Sequence, residues 1–243
     1  MINTCIGISS GSFPELAATD LIKIVCKGDG NTVDLRYGKD HRWEDAGLKP
    51  FIDARIHISF IGISAILGDE RWDTTALYQE AIAFSGYPLK VFAKKGCMNE
   101  KCRTLTKNQI QVLTEIAGAS DHVLVETHDG FSAVEELLYL HEVTGAHILL
   151  DTLGFACLTR DPFSDIAKLA PLVRAVQVKG FDWTNPKKSL HVPLSGINLE
   201  YTVMILQHVL KPPCPITVET RAGSAIEDLS LLHSLCRIST LTN

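Results

Sequence analysis

The chain has 243 residues, of which 46 % are hydrophobic, and a formal net charge of −5 at pH 7. This length and apolar content suit one large globular domain, which we expect to span residues 1–243. No block of like charge stands out, so neither nucleic acid nor an anionic membrane is expected as a partner.

The cysteines and the first residues indicate a cytoplasmic protein. Seven cysteines are scattered without a CxxC pair, and the close pair Cys97 and Cys102 lacks further ligands at zinc-site spacing. The start, MINTCIGISSGSF, has no basic segment followed by a long apolar one, so we expect no signal peptide. No apolar run reaches the ~18 residues of a membrane-spanning helix.

Short apolar runs recur along the chain and predict eight strands. They are rich in Val, Ile and Leu, and several lack clean alternation, as is typical of strands buried on both faces. The predicted strands cover residues 5–9, 32–37, 57–64, 89–94, 122–126, 147–151, 174–179 and 216–220.

Helical patterns fill the segments between these strands. The clearest covers 132–145, where Ser132 is the predicted N-cap, Glu135 its capping-box partner and Gly145 the stop. Another, at 161–173, begins with Asp then Pro, which is the favoured order at a helix start. Further helices are predicted at 106–118, 196–210 and 225–238, and less cleanly at 15–27, 44–55 and 72–86.

Eight strand-then-helix units predict an α/β fold, a single (β/α)8 TIM barrel with a closed, parallel, eight-stranded sheet. The main rival is a doubly wound open sheet, which more often carries a glycine-rich phosphate-binding turn after its first strand. Here that turn, residues 9–14, reads SSGSFP and does not match GxGxxG.

Polar side chains follow several predicted strands, where a (β/α)8 barrel carries its chemistry. They occur on or after the second, fifth, sixth, seventh and eighth strands: Arg36, His41, Glu126, His128, Asp151, Gln177, Lys179, Glu219 and Arg221. Three of them are carboxylates, which would repel one another without a counter-ion. With an amide oxygen they form an oxygen-rich set, which favours Mn²⁺ or Mg²⁺, with Co²⁺ or Zn²⁺ as alternatives.

These motifs resemble the xylose isomerase-like barrel superfamily of sugar and sugar-phosphate isomerases and epimerases, hydroxypyruvate isomerases, dehydratases and abasic-site endonucleases. The resemblance rests on VLVETH at 123–128, ILLDT at 148–152, VQVKGFD at 176–182 and ITVET at 216–220, and on NTVDLRYGKDHRWED at 31–45. It covers nearly the whole chain in order.

The resemblance implies a metal held by Glu126, Asp151, Gln177 and Glu219, with Glu126 and Glu219 also serving as the acid/base pair. The sequence departs from the common pattern twice. Gln177 stands where most members have His, although hydroxypyruvate-isomerase-like members also have Gln. Gly154 stands three residues after the aspartate, where many members have His.

The expected activity is a divalent-metal-dependent isomerase or epimerase that acts on a small sugar, sugar phosphate or hydroxy-keto acid through an enediolate. Lys179 and Arg221 are predicted to hold an oxyanion, carboxylate or phosphate of the substrate. His128 either orients Glu126 or a substrate hydroxyl, or is a plain loop histidine. His41 with Arg36 either closes the site from the second loop or lies on the surface.

Three other functions stay open at the level of the sequence. The same enediolate expels a β-hydroxyl in a dehydratase, and a barrel without catalysis binds only a ligand. An abasic-site endonuclease is disfavoured by the net charge of −5 and by the missing histidines. The expected partner is a small-molecule substrate, with a homodimer or homotetramer as the expected assembly.

Overall fold

The computed structural model describes residues 5–188, 190–209 and 214–241, without the side chains of 237–241. Eight strands form a closed barrel in chain order, and the strand pairs described are parallel, which confirms the predicted (β/α)8 barrel and excludes the open sheet. The strands are β1 Ile6–Ser9, β2 Thr32–Arg36, β3 His57–Leu67, β4 Leu89–Ala93, β5 Val123–Glu126, β6 His147–Asp151, β7 Val173–Val178 and β8 Ile216–Val218.

The α-helices lie between the strands and after the last one. They are α1 Ala18–Lys27, α2 Lys49–Asp53, α3 Thr74–Ala81, α4 Arg103–Ala117, α5 Val134–Thr144, α6 Thr152–Leu158, α7 Pro162–Leu169, α8 Gly196–Val209 and α9 Ala225–Leu241. Among the described residues, no helix combines the length and apolar character that crossing a bilayer requires.

Some helix boundaries differ from those predicted from the sequence, and local hydrogen bonds account for the differences. Helix α4 begins at Arg103 rather than at the predicted Thr106, whose hydroxyl donates to the carbonyl oxygen of Cys97 at 2.7 Å. Its end is as predicted, because Gly118 takes the left-handed conformation at the C-cap. The last residue of the predicted helix 196–210 lies outside the described residues.

The predicted capping box of α5 is wrong. Ala133 is the N-cap and makes no side-chain cap. Ser132 lies before it, and its hydroxyl donates to Glu136 Oε1 at 2.6 Å rather than pairing with Glu135. The cause is a start one residue later than predicted, which moves the reciprocal carboxylate from position 135 to 136.

Two of the less cleanly marked predicted helices are interrupted. Segment 44–55 divides into a 3-10 turn, Arg42–Ala46, and the short α2. Segment 72–86 divides into α3 and the flanking 3-10 turns Glu70–Trp72 and Ile82–Phe84. In the first case Gly47, with a φ of 64°, ends the turn before Pro50 occupies the start of α2.

Helix α6 was not predicted. It follows β6 without a loop, because the Asp151 side chain accepts a hydrogen bond from Gly154 N at 2.8 Å and so caps the first turn. The same aspartate therefore ends a strand and begins a helix.

The chain divides into two compact units, Met1–Ser59 with Val176–Asn243, and Phe60–Ala175. In the first unit Ile8, Leu35 and Val218 are fully buried. In the second unit Phe60, Leu124, Leu149 and Ala175 form a buried apolar cluster. The expectation of one domain over 1–243 stays a prediction.

Candidate functional site

A buried polar network occupies the strands of the first unit. Asp34 on β2 is fully buried and accepts hydrogen bonds from Ser9 Oγ at 2.6 Å, from Gln177 Nε2 at 3.2 Å and from Thr217 Oγ1. These four residues, which we call the Asp34 network, come from the neighbouring strands β7, β8, β1 and β2. Burial raises the pKa of the Asp34 carboxyl to about 6, and the three hydrogen bonds limit that rise.

Beyond the same strands, Glu219 lies among three basic side chains. Its Oε1 is 2.9 Å from Arg36 Nη1 and 3.4 Å from Arg221 Nη2, and its Oε2 is 3.5 Å from Lys179 Nζ. We call these four residues the Glu219 cluster. The Glu219 side chain is 3 % exposed, whereas those of Lys179, Arg36 and Arg221 are 11 %, 22 % and 56 % exposed. One buried carboxylate is thus held by three cations of increasing exposure.

A glycine and a serine make this arrangement possible. A Cβ at position 11 would lie 2.9 Å from both the Arg36 side chain and the Glu219 carboxyl carbon, so the cluster needs Gly11. Ser10 Oγ accepts the backbone N–H of Arg36 at 2.8 Å and so fixes the end of β2.

Two histidines of the first unit lie within the electrostatic field of the cluster. His41 is buried, and its Nδ1 is 3.2 Å from Ser10 Oγ. Burial and then the Arg36 guanidinium lower the pKa of His41. His191 Nδ1 accepts the backbone N–H of Arg221 at 3.2 Å, and burial followed by Lys179 lowers the pKa of His191. Both rings are therefore held toward their neutral form.

The second unit contains a buried ion pair. Lys90 Nζ lies 2.6 Å from Glu126 Oε2, and the two side chains are 5 % and 10 % exposed. The ammonium also lies 3.7 Å from the centroid of the Phe92 ring, a cation–π contact. Lys90 and Glu126 belong to β4 and β5, so the ion pair connects two hydrogen-bonded neighbouring strands.

Asp151 and Glu126 end neighbouring strands of the second unit. Between them, Thr127 Oγ1 accepts the backbone N–H of Asp151 at 2.9 Å and donates to its carbonyl at 2.8 Å. A Cβ at position 154 would lie 1.7 Å from the carbonyl oxygen of Thr127. A histidine cannot occupy this position with the present backbone, so close packing accounts for Gly154.

His128 contacts backbone and aromatic groups. Its Nε2 is 3.1 Å from Ala93 N, and its Nδ1 is 2.8 Å from Gly130 N. Its ring meets those of Phe92 and Phe131 edge-on, at centroid distances of 5.4 and 5.5 Å. These contacts give His128 a structural role in tying the end of β4 to the loop after β5, and a contact with substrate stays a prediction.

No protein-family model matches the sequence, and no curated protein matches it significantly. Solved structures do match over nearly the whole chain. A xylose isomerase domain containing protein from Salmonella typhimurium is 13 % identical, with a TM-score of 0.66 and coverage of 99 % of this chain and 98 % of the other. The chain shares its (β/α)8 barrel fold with this protein.

Other proteins with structures similar to this chain differ in chemistry. The 3-keto-D-glucoside 4-epimerase of E. coli is 12 % identical, with a TM-score of 0.70 and coverage of 97 % and 100 %. The probable 3-DHS dehydratase of petrobactin synthesis from Bacillus anthracis is 17 % identical, with a TM-score of 0.61 and coverage of 97 % and 98 %. The similar structures also include an AP endonuclease. Most of these neighbours are enzymes, and at these identities the likeness concerns the fold.

The barrel brings together several predicted site residues, within each unit. Arg36, Lys179, Glu219 and Arg221 meet in the Glu219 cluster, and Gln177 joins the Asp34 network of the same unit. Glu126 and Asp151 lie in the second unit. A single ligand set formed by Glu126, Asp151, Gln177 and Glu219 stays a prediction.

Sequence reasoning missed Asp34, Lys90 and His191. Asp34 and Lys90 each stand at an interior position of a strand whose residues are mostly buried. A charged residue at such a position is the signal that would have found them, because burying it requires a partner. His191 lies in a connecting segment, and its sequence carries no comparable signal.

Two of the predicted metal ligands, Glu126 and Glu219, already have cationic partners within their own units. Lys90 already compensates the charge of Glu126, and three cations face Glu219. Two like charges 4 Å apart repel by ~4 kcal/mol at an effective dielectric of ~20, and a divalent ion would double this for each neighbour. Among the residues described, no group of three or more His, Cys, Asp and Glu side chains is placed to hold a metal ion.

Proposed function

We propose that this barrel is an isomerase or epimerase that moves a proton on a small sugar, sugar phosphate or hydroxy-keto acid through an enediolate. One observation carries the proposal: Glu219 is a buried carboxylate that directly follows a barrel strand and lies within 3.5 Å of three cationic groups. A buried carboxylate at this position can act as a general base, and the three neighbouring cations can stabilise an oxyanion. Likeness in fold to an epimerase supports the same class. A cytoplasmic location accompanies this proposal.

In the proposed reaction Glu219 removes the proton from the carbon beside the substrate carbonyl. The electron pair of the broken C–H bond forms a C=C bond, and the carbonyl oxygen takes the negative charge. Lys179, with its ammonium 3.5 Å from Glu219, and the guanidinium groups of Arg36 and Arg221 stabilise that oxygen. Fixed cations in a partly buried site cost little reorganisation when the charge forms.

A proton then returns to the neighbouring carbon in an isomerase, or to the opposite face of the same carbon in an epimerase. The sequence resemblance implies a second acid/base role for Glu126, and that role stays a prediction. Within the second unit the negative charge of Glu126 is balanced by Lys90 at 2.6 Å. The cations of the chain supply the charge compensation for which a metal was predicted, so the proposed steps involve no metal.

The test is exchange of substrate hydrogen with solvent in D₂O, followed by mass spectrometry and NMR over a panel of ketoses, ketose phosphates and hydroxy-keto acids. We expect the wild-type protein to incorporate deuterium without loss of mass by elimination. Glu219→Gln should slow this exchange by about 10²–10⁴-fold, the usual contribution of a general base. Glu200→Gln, an exposed residue of α8, is the matched control and should exchange at the wild-type rate.

Two outcomes would contradict the proposal. Exchange at the wild-type rate in folded Glu219→Gln would reject Glu219 as the base. Loss of water from the substrate would assign the barrel to the dehydratases, one of which has a similar fold.

A further inference from the structure

Two guanidinium groups of the Glu219 cluster share one carboxylate oxygen. Arg36 Nη1 lies 2.9 Å and Arg221 Nη2 lies 3.4 Å from Glu219 Oε1. These two arginines therefore bring two positive charges to a single carboxylate.

The two arginines form the more exposed part of the cluster. The side chain of Lys179 is 11 % exposed, whereas that of Arg221 is 56 % exposed. Arg36 lies between them at 22 %. A ligand arriving from solvent would reach the two guanidinium groups before it reached Glu219.

The two guanidinium groups keep hydrogen-bonding capacity for a ligand. Among the described residues, Arg36 donates from Nη1 to Glu219, and Arg221 donates from Nε to Gly11 O and from Nη2 to Glu219. Each guanidinium has five N–H donors in a planar fork, so most of these donors have no protein acceptor. Planar forks of this kind match the paired oxygens of a phosphate or carboxylate.

Two histidines complete the same surroundings without adding to the charge. The rings of His41 and His191 are held toward their neutral form by burial and by the cations of the cluster. A neutral imidazole can still donate one N–H, so both can add hydrogen bonds to an anion.

We propose that the Glu219 cluster binds an anionic group of the substrate, so that the substrate is a sugar phosphate or a sugar-derived keto acid rather than a neutral sugar. Arg36 and Arg221 hold the phosphate or carboxylate oxygens. Because both guanidinium groups also contact Glu219, the anionic group sits close to the proposed base. The anion and the reacting carbon are therefore separated by few bonds, which favours a short substrate. This inference rests on the proposed function for its substrate, although anion binding itself does not.

The binding test measures the melting temperature of the whole protein in inorganic phosphate and, separately, in acetate, each against sodium chloride at equal ionic strength. We expect stabilisation by at least one of the two anions beyond that of chloride. Stronger binding of phosphate identifies a sugar phosphate, and stronger binding of acetate identifies a keto acid. Calorimetric titration with the better anion then gives its dissociation constant.

Variants locate the bound anion. Arg221→Gln should weaken its binding by about tenfold or more, since a hydrogen bond between charged groups contributes ~1.5–3 kcal/mol. Arg221→Lys, which keeps the charge, should restore part of it. Arg71→Gln is the matched control, because Arg71 also pairs with a carboxylate and is 78 % exposed, but it faces a single Asp69.

The inference is overturned if neither anion stabilises the wild-type protein beyond chloride, or if Arg221→Gln and Arg71→Gln bind the anion equally well. Deuterium exchange into neutral ketoses but not into anionic substrates would also overturn it and would leave the proposed function standing. Anion binding without deuterium exchange in any substrate would contradict the proposed function and would leave the anion site standing.

Discussion

At the scale of single residues, the second unit contains a buried pair of opposite charges. Lys90 and Glu126 are both almost completely buried and lie 2.6 Å apart. Neither would be stable alone at such a depth, because a buried charge without a partner retains the full cost of leaving water. Each side chain therefore explains the presence of the other.

We expect Lys90→Met to lower the free energy of unfolding by roughly 3–5 kcal/mol, because it leaves the buried Glu126 without its partner. Urea denaturation measures this value. The double variant Lys90→Met, Glu126→Gln should recover much of the loss, which would identify the unpaired charge as its cause. Lys49→Met serves as control, since Lys49 and Asp53 form an exposed pair that contributes ~1 kcal/mol or less. Equal losses in the two lysine variants would contradict the assignment.

The protonation of Asp34 is coupled to the stability of the fold. Its pKa is raised from 3.8 to about 6 in the folded chain, so between these values the folded state binds a proton that the unfolded state has lost. The stability that Asp34 contributes is therefore fully present below pH 3.8 and is lost as the pH rises through about 6.

Asp34→Asn should remove this part of the pH dependence, because the amide does not titrate. Thermal unfolding of both proteins between pH 4 and pH 7 tests it through the difference between the two curves. As the pH rises from 4 to about 6, we expect the melting temperature of the wild type to fall relative to that of Asp34→Asn. Above about pH 6 the two curves of melting temperature against pH should run parallel. Parallel curves over the whole range would show that Asp34 keeps an ordinary pKa.

At the scale of elements, the chemistry depends on how each strand ends. Asp151 closes β6 and caps α6 directly, so its carboxylate is fixed by the first turn of a helix. This turn packs against the backbone that follows β5, where Gly154 leaves no space for a side chain beside the carbonyl of Thr127. The junction between β6 and α6 therefore depends on Gly154, a residue without a functional side chain.

We expect Gly154→Ala to destabilise the protein by about 3 kcal/mol or more, because its Cβ would lie 1.7 Å from the Thr127 carbonyl oxygen and backbone must move. Gly86→Ala is the comparison. Gly86 has a φ of +84° but no atom near its added Cβ, so this variant should lose only ~1–2 kcal/mol. Chemical denaturation measures both, and a loss at Gly154 no larger than at Gly86 would show that the junction adapts.

At the scale of the whole molecule, the fold constrains the function less tightly than the charges do. Proteins of similar fold include an epimerase, a dehydratase and an AP endonuclease. In this chain, lysine and arginine side chains compensate Glu126 and Glu219, two of the carboxylates predicted to bind a metal. Fold alone does not select a reaction, whereas the arrangement of charges narrows the choice.

We expect Mn²⁺ and Mg²⁺ to leave the melting temperature of the protein unchanged, and exhaustive treatment with EDTA to leave deuterium exchange intact. The reason is the repulsion that Lys90 and the three cations around Glu219 exert on a divalent ion. Differential scanning fluorimetry and the exchange assay check both outcomes. Stabilisation by sub-millimolar Mn²⁺, together with loss of exchange in EDTA, would restore the metal-dependent mechanism that the sequence predicts.

The sequence by itself determined the strands, the barrel and where most of the polar residues stand. All eight strands were predicted, because apolar runs of strand length report burial locally, and Gly145 and Gly118 marked helix ends through their left-handed backbone. Glu126, Asp151 and Glu219 could be placed at strand ends for the same reason. Helix α6 was missed because strand and helix meet without the turn residues that usually separate them.

Only the tertiary structure decided which charges meet. Arg36 and Glu219 are separated by 183 residues along the chain, and Asp34 and Gln177 by 143, so no local pattern links them. Whether a carboxylate faces a lysine, an arginine or a metal depends on which strands are neighbours and on how deep each side chain lies. Burial then sets the result, because a charge removed from water must be compensated by whatever the fold places beside it.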